Sequence, residues 1–293
     1  MALTDNMRGA AFMSIAMAAF TFGDTCIKLV SETVPLWQVV ALRGVLTCSA
    51  LMVLGHLTGG FRPFLPWRQG RVVALRAAFE VASTVTFFLA LLNMPFANVS
   101  AVMQSTPLAL TLAAALVYRE PLGWRRLSAI LAGLCGVLIV IRPGPEGFDV
   151  WAVLALVTVL FVVGRDLATR RLDPSVPSIS VAFWSAVSVS GLAAVLSTQT
   201  PWQPVSLDAG LLIVGAAGFV ITGYIFAIKV MRIGELGFTA PFRYTALLWA
   251  VVISALVFNE VPDRWTVIGS LIVVASGLFT LYRERQLRLR RPL

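Results

Sequence analysis

A few ionisable residues lie inside stretches that are otherwise apolar, and their spacing is helical. Glu80 follows Arg76 by four positions, and Thr84, Phe87 and Leu91 continue the same helix face. Asp24 and Lys28 make a second i,i+4 pair, and Arg165 adjoins Asp166. A charge at mid-membrane costs about 3 kcal/mol on insertion scales, so such residues need a reason to be there. A carboxylate in that setting can receive a substrate ammonium or a proton. It can equally serve as internal glue, because each of these carboxylates has a basic residue within four positions. Both readings of Glu80 and Asp24 stand at this level, and Arg43 is read as structural.

Two prolines mark a second constellation. Pro107 and Pro241 each remove a backbone hydrogen bond within an apolar stretch and free a carbonyl there. Ser100, Gln104, Pro107 and Thr111 share one helix face, and Thr239, Arg243, Tyr244 and Thr245 surround Pro241. Such a face should look at water or protein, although hydroxyls and amides also bond neighbouring helices. The expected cavity takes Glu80 or Asp24 for an ammonium and Arg243 or Gln104 for a carboxylate. Phe87, Phe88, Tyr224 and Tyr244 would supply an aromatic lining.

Other chemistry is missing. The one histidine, His56, leaves no metal cluster and no partner for a serine or cysteine nucleophile. Cys26, Cys48 and Cys135 read as small packing residues, not a disulfide framework. Gly59-Gly60 and Pro143-Gly144-Pro145 are turns, not a phosphate cradle. No enzyme, metal or cofactor is expected, and any driving energy must come from gradients.

What positions these residues is a membrane bundle. Hydrophobic residues are 58% of the 293 and charged ones only 13%, whereas soluble domains carry roughly 25% charged. Ten stretches of bilayer length are predicted near 8–30, 36–57, 72–92, 97–118, 127–141, 151–169, 178–197, 210–231, 237–258 and 265–282. The first runs too long for a signal h-region and is read as a retained helix. With the N-terminus inside, 16 loop Lys and Arg residues fall on its side and only Arg142 and Arg264 on the other. The positive-inside rule then predicts cytoplasmic termini in a bacterial inner membrane. The net charge of +9 is thus assigned to lipid headgroups, not nucleic acid.

The chain also repeats. Ala-Leu-Val-Tyr-Arg-Glu (115–120) parallels Ala-Leu-Val-Phe-Asn-Glu (255–260). Val34-Pro35 parallels Val176-Pro177, Gly23 parallels Gly164, and Trp124 parallels Trp265. An odd number of spans per repeat inverts the second copy, the arrangement of secondary transporters. The expectation is one all-α membrane domain of two five-helix repeats, 1–145 and 146–293.

Ten spans in two inverted halves, with the Glu120 and Glu260 motifs, Arg43 and Gln104-Ser-Thr-Pro107-Leu, resemble the EamA family of the drug/metabolite transporter superfamily. Leu247 stands where Pro107 would predict proline, and Pro241 comes earlier. The resemblance implies a monomeric carrier whose spans one, three, four, six, eight and nine enclose the path, with five and ten peripheral. Within the family it is to bacterial exporters of amino acids, aromatic ones among them. A proton-coupled drug or cation exporter and a non-transporting scaffold are the alternatives.

Overall fold

The computed structural model describes residues 2–62, 64–118, 123–142, 149–233 and 236–289. Glu120, Arg119, Pro143-Gly144-Pro145, Arg290 and Arg291 lie outside them. Among the described residues the helices are Ala2–Val30, Leu36–Leu57, Trp67–Asn93, Phe96–Met103, Thr106–Tyr118, Trp124–Ile141, Val150–Thr169, Ser178–Ser197, Leu207–Ile233, Leu236–Thr239, Thr245–Leu256 and Arg264–Leu289. A 3-10 turn, Ala240–Tyr244, joins the two short pieces of the ninth span. Among the described residues nine spans are long and apolar enough to cross a bilayer, and Ala240–Leu256 is a shorter tenth. The third span starts at Trp67, five residues before the predicted boundary. Its first turn holds Arg68 and Arg71, which water can solvate beyond the apolar stretch.

The spans pair in a two-fold pattern. The first packs on the eighth and the third on the sixth, while the second packs on the seventh and the fifth on the tenth. The fourth crosses the ninth. This is the all-helical two-repeat fold expected from the sequence. The Gly23/Gly164 correspondence has a packing cause. Gly164 on the sixth span meets Phe79 of the third, where a Cβ would come within 2.7 Å of the ring. Gly23 on the first span meets Phe219 of the eighth, where a Cβ would sit 3.5 Å from the Phe219 Cβ. The two are equivalent contacts, but only Gly164 has no room for a methyl group. The fifth and tenth spans approach through Gly136 and Gly269, where the backbones nearly touch.

Both helix interruptions fall in the crossing spans. The fourth breaks at Gln104-Ser105, before Pro107 rather than at it. Pro107 is the second residue of the following helix, where a missing N–H costs little. The Met103 carbonyl that Pro107 would have left open accepts from Thr106 Oγ1 at 2.6 Å, and the Val102 carbonyl accepts from Ser105 Oγ at 2.7 Å. The ninth span tightens to 3-10 over Ala240–Tyr244, with Pro241 in its first turn. Thr245 Oγ1 covers the Phe242 carbonyl at 2.6 Å. The hydroxyls beside each break cap the carbonyls locally, which is how irregular backbone persists at membrane depth.

Cys26 and Cys48 are half-buried packing residues as expected, but Cys135 is exposed on the surface of the fifth span.

Candidate substrate site

The third span carries the densest ionic cluster. Glu80 Oε1 accepts from Arg165 Nη1 of the sixth span at 3.2 Å. Arg76 Nη2 stands 3.3 Å from Oε2, an ion-pair distance without hydrogen-bond alignment. Arg165 also holds Asp166 Oδ1 at 2.9 Å. Arg76 reaches Thr169 Oγ1 at 3.0 Å and donates to Ser185 Oγ of the seventh span. Glu80 is therefore engaged by two guanidiniums from two helices. Thr84 turns its hydroxyl back to the Glu80 carbonyl at 2.8 Å, as hydroxyls in apolar helices do.

A second set gathers on the first, second, third and eighth spans. Asp24 and Arg43 are both half-buried, and each feels the other's charge. Neither side chain makes an ion pair or hydrogen bond among the described residues. The Arg43 guanidinium lies over the Phe88 ring, 5.6 Å from its centroid. Phe87 packs on Phe88 at 5.5 Å. Tyr224 lies within electrostatic reach of Arg43, Glu80, Arg165 and Arg76, and its ring meets Phe20 edge-on at 5.8 Å. Tyr224 is thus near enough to both charged sets to feel their charges. Sequence reasoning set Arg43 aside as structural. The signal that could have found it is its depth: seven residues into its span, about 10 Å from the helix end, with no carboxylate within four positions.

The predicted residues near the helix breaks form a separate group. Gln104 is buried, and its Nε2 points to the Arg243 carbonyl at 3.5 Å, joining the fourth-span break to the ninth. Ser100 is half-buried one turn away. Tyr244 is buried against the tenth span, where any Cβ at Gly277 would collide with its hydroxyl. Its hydroxyl has no partner among the described residues. The Arg243 side chain is exposed. The structure thus brings Asp24, Tyr224, Glu80 and Thr84 toward one region beside Phe87. Ser100, Gln104 and Tyr244 lie at the span crossing, and Arg243 stands apart.

A third polar cluster closes the end of the bundle opposite the termini. Lys28 Nζ donates to the Met94 carbonyl at 3.0 Å and to Glu260 Oε1 at 3.4 Å. Glu260 Oε2 accepts the Phe96 N–H at 2.9 Å. Asn259, with φ of 52°, makes the turn that sends Glu260 back toward the bundle; asparagine tolerates that left-handed backbone. One carboxylate thereby ties the ends of the first, third, fourth and ninth spans. Asp24 and Lys28, expected as a pair, do not pair: Lys28 turns to Met94 and Glu260, and the Asp24 carboxylate has no ion-pair partner among the described residues.

An open groove of about 680 Å³ is formed by the third, sixth and seventh spans. Its lining is chiefly Ala77, Ala78, Val81, Ala82 and Val85, on the side of the third span away from Glu80 and Thr84. None of the predicted site residues lines it. It is an apolar, lipid-side crevice, and the interior charges define the better candidate site.

Residues 7–142 and 149–282 each match the EamA-like transporter family. The chain belongs to that family. Two matches in tandem are what two five-helix repeats require. The chain is 22% identical over 286 residues to an S-adenosylmethionine uptake transporter of Rickettsia prowazekii, covering 97% of this chain and 96% of that protein. It is 24% identical to the pseudopaline exporter CntI of Pseudomonas aeruginosa, covering 89% and 92%. It is 23% identical to a riboflavin transporter of Vibrio cholerae, covering 93% and 92%. One solved crystal structure superposes with a TM-score of 0.67 over 94% of this chain and 98% of its own at 18% identity, which shows a common fold. This EamA-type chain is a multi-pass membrane protein built as a transporter.

Proposed function

We propose that this EamA-type transporter exports a small zwitterionic metabolite, an amino acid with an apolar or aromatic side chain, as a monomer in the bacterial inner membrane. The observation that carries the reading is the interior cluster around Tyr224. Acidic and basic groups are both present there, and Phe20, Phe87 and Phe88 flank them. A net-neutral amphipathic solute matches such a lining, with its charges met by side chains and its apolar part by rings. The 16-to-2 distribution of basic loop residues supports cytoplasmic termini. Repeats 1–145 and 146–293 would rock about the cluster to give alternating access. Glu80, Thr84, Ser100, Gln104, Tyr244 and Arg243 are then supports of the path or of its moving parts.

The named relatives include uptake and export proteins, so direction is a property of each chain. The test is uptake of a radiolabelled amino-acid panel by proteoliposomes, with and without a pH gradient. Accumulation of apolar amino acids over cationic dyes is expected. Accumulation of lipophilic cations alone, driven by the gradient, would favour the proton-coupled exporter. The Asp24 carboxylate, with no ion-pair partner among the described residues, is the group that reading would use.

A further inference from the structure

We propose that Arg43 and Asp24 form the head-group receptor, with the Arg43 guanidinium taking the substrate carboxylate and Asp24 the ammonium. This rests on the amino-acid reading above and names the residues that would enforce it.

Arg43, Arg76 and Arg165 all lie inside spans, and they are treated differently. Arg76 and Arg165 are each held by a carboxylate and by further hydrogen-bonding groups. The Arg43 guanidinium has neither an ion pair nor a hydrogen bond among the described residues. A desolvated guanidinium is costly unless something takes up its five donors. What Arg43 does have is the Phe88 ring beneath it at 5.6 Å. Contact through the ring face fixes the guanidinium plane while leaving its in-plane N–H groups free for a carboxylate fork.

Asp24 supplies the complement. It feels the Arg43 charge from the neighbouring span, yet the two do not close to ion-pair distance. An α-amino acid presents ammonium and carboxylate one carbon apart. Two opposite charges near enough to feel each other and not paired suit that head group better than they suit an anion or a cation alone. Tyr224, also within reach of Arg43, adds a hydroxyl from the eighth span.

The internal repeat argues that this pair is not a requirement of the fold. In the register of Gly23 with Gly164, Asp24 corresponds to Arg165. In the register of Pro35 with Pro177, Arg43 corresponds to Ser185. In the second half those positions are consumed internally. Arg165 holds Glu80 and Asp166, and Ser185 receives Arg76. The same two places are therefore filled with mutually satisfied groups in one half and with open charges in the other.

The test uses the full chain in proteoliposomes and matched probes: L-phenylalanine with 2-phenylethylamine, and L-leucine with 3-methylbutylamine. Each amine keeps the side chain and ammonium and lacks the carboxylate. Wild type should prefer the amino acids. Arg43→Gln should lose at least about tenfold in amino-acid transport efficiency, about 1.4 kcal/mol, with amine transport unchanged, so the preference collapses. Arg43→Lys keeps the charge without the fork and should fall between; it also serves if Arg43→Gln folds poorly. Asp24→Asn should weaken amino acid and amine together. Retention of the wild-type preference by the folded Arg43 variants would overturn the inference and leave amino-acid transport standing. A wild-type protein that moves no amino acid of the panel would overturn the proposed function as well.

Discussion

Glu80 and Asp24 are both membrane carboxylates with a basic residue four positions away, and the sequence offers no reason to separate them. Their surroundings do. Glu80 is clasped by Arg76 and Arg165, which bring further bonds to Asp166, Thr169 and Ser185. Asp24 feels the Arg43 charge without an ion pair, and Lys28, four residues on, turns instead to Met94 and Glu260. The first arrangement is closed on itself, and the second has unused charge. Pairing along one helix therefore says little about function. What discriminates is whether a third group, supplied by another span, completes the set.

The comparison breaks most sharply at Glu80. Glu80→Gln strands Arg76 in a low dielectric, while Arg165 keeps Asp166. Losing one member of a buried pair costs about 3–5 kcal/mol, so the melting temperature in detergent should fall steeply. Arg76→Gln with Glu80→Gln should recover most of that loss and still transport in proteoliposomes. A stable but inactive double variant would return Glu80 to the substrate path, one of the two readings the sequence left open. Glu260 is a second closed set. Glu260→Gln leaves the Lys28 charge and the Phe96 N–H poorly matched, at a cost of about 1–3 kcal/mol. A Glu260→Gln protein that melts as wild type would show that the outer tie contributes nothing.

The sequence made the bundle legible because spans are written in length and hydropathy. Eight of the ten predicted starts lie within about three residues of the observed helices, with larger differences at Ala2 and Trp67. Repeat matching also paired Gly23 with Gly164, and the structure seats them against Phe219 and Phe79, partners that the matching did not name. The site was legible only in part. Gln104 was singled out by polarity on an apolar face, and it sits at the crossing of the two breaks. Tyr244 looked the same by composition, yet its environment is Gly277 on the tenth span, a packing partner that helix periodicity in the ninth cannot reveal. Arg43 was passed over because its significance is relational. It depends on Phe88 and Asp24 from other spans, and on the absence of a partner that no local pattern encodes.

At Asp24 the comparison predicts the opposite signature to Glu80. Asp24→Asn removes a charge that no ion pair is holding, so stability should change by less than about 1 kcal/mol, or rise as burial of a charge is relieved. Transport should nevertheless fall by about tenfold or more. A large loss of stability together with transport would place Asp24 among the closed sets and remove the distinction between the two carboxylates.

The smallest effect is expected where the same chemistry lies outside the bilayer. Asp263 precedes the tenth span and pairs with Arg142, both half-exposed. It also caps the helix, accepting the Thr266 N–H at 2.8 Å. The Arg142 hydrogen bond, aided by that N–H, holds the Asp263 carboxyl down to about 2 from 3.8. A depressed folded-state value means the stabilisation is present above the unfolded value and fades as pH falls from about 4 toward 2. Solvent and salt screen so open a pair, so it should contribute under about 1 kcal/mol. Asn caps a helix about as well as Asp, so Asp263→Asn isolates the charge. Its melting temperature should sit slightly below wild type at pH 6, and the two should converge as pH falls toward 2. A deficit as large as that of Glu80→Gln would mean that the membrane interior adds nothing to the strength of an arginine–carboxylate set. The contrast between Glu80 and Asp24 would then need another cause.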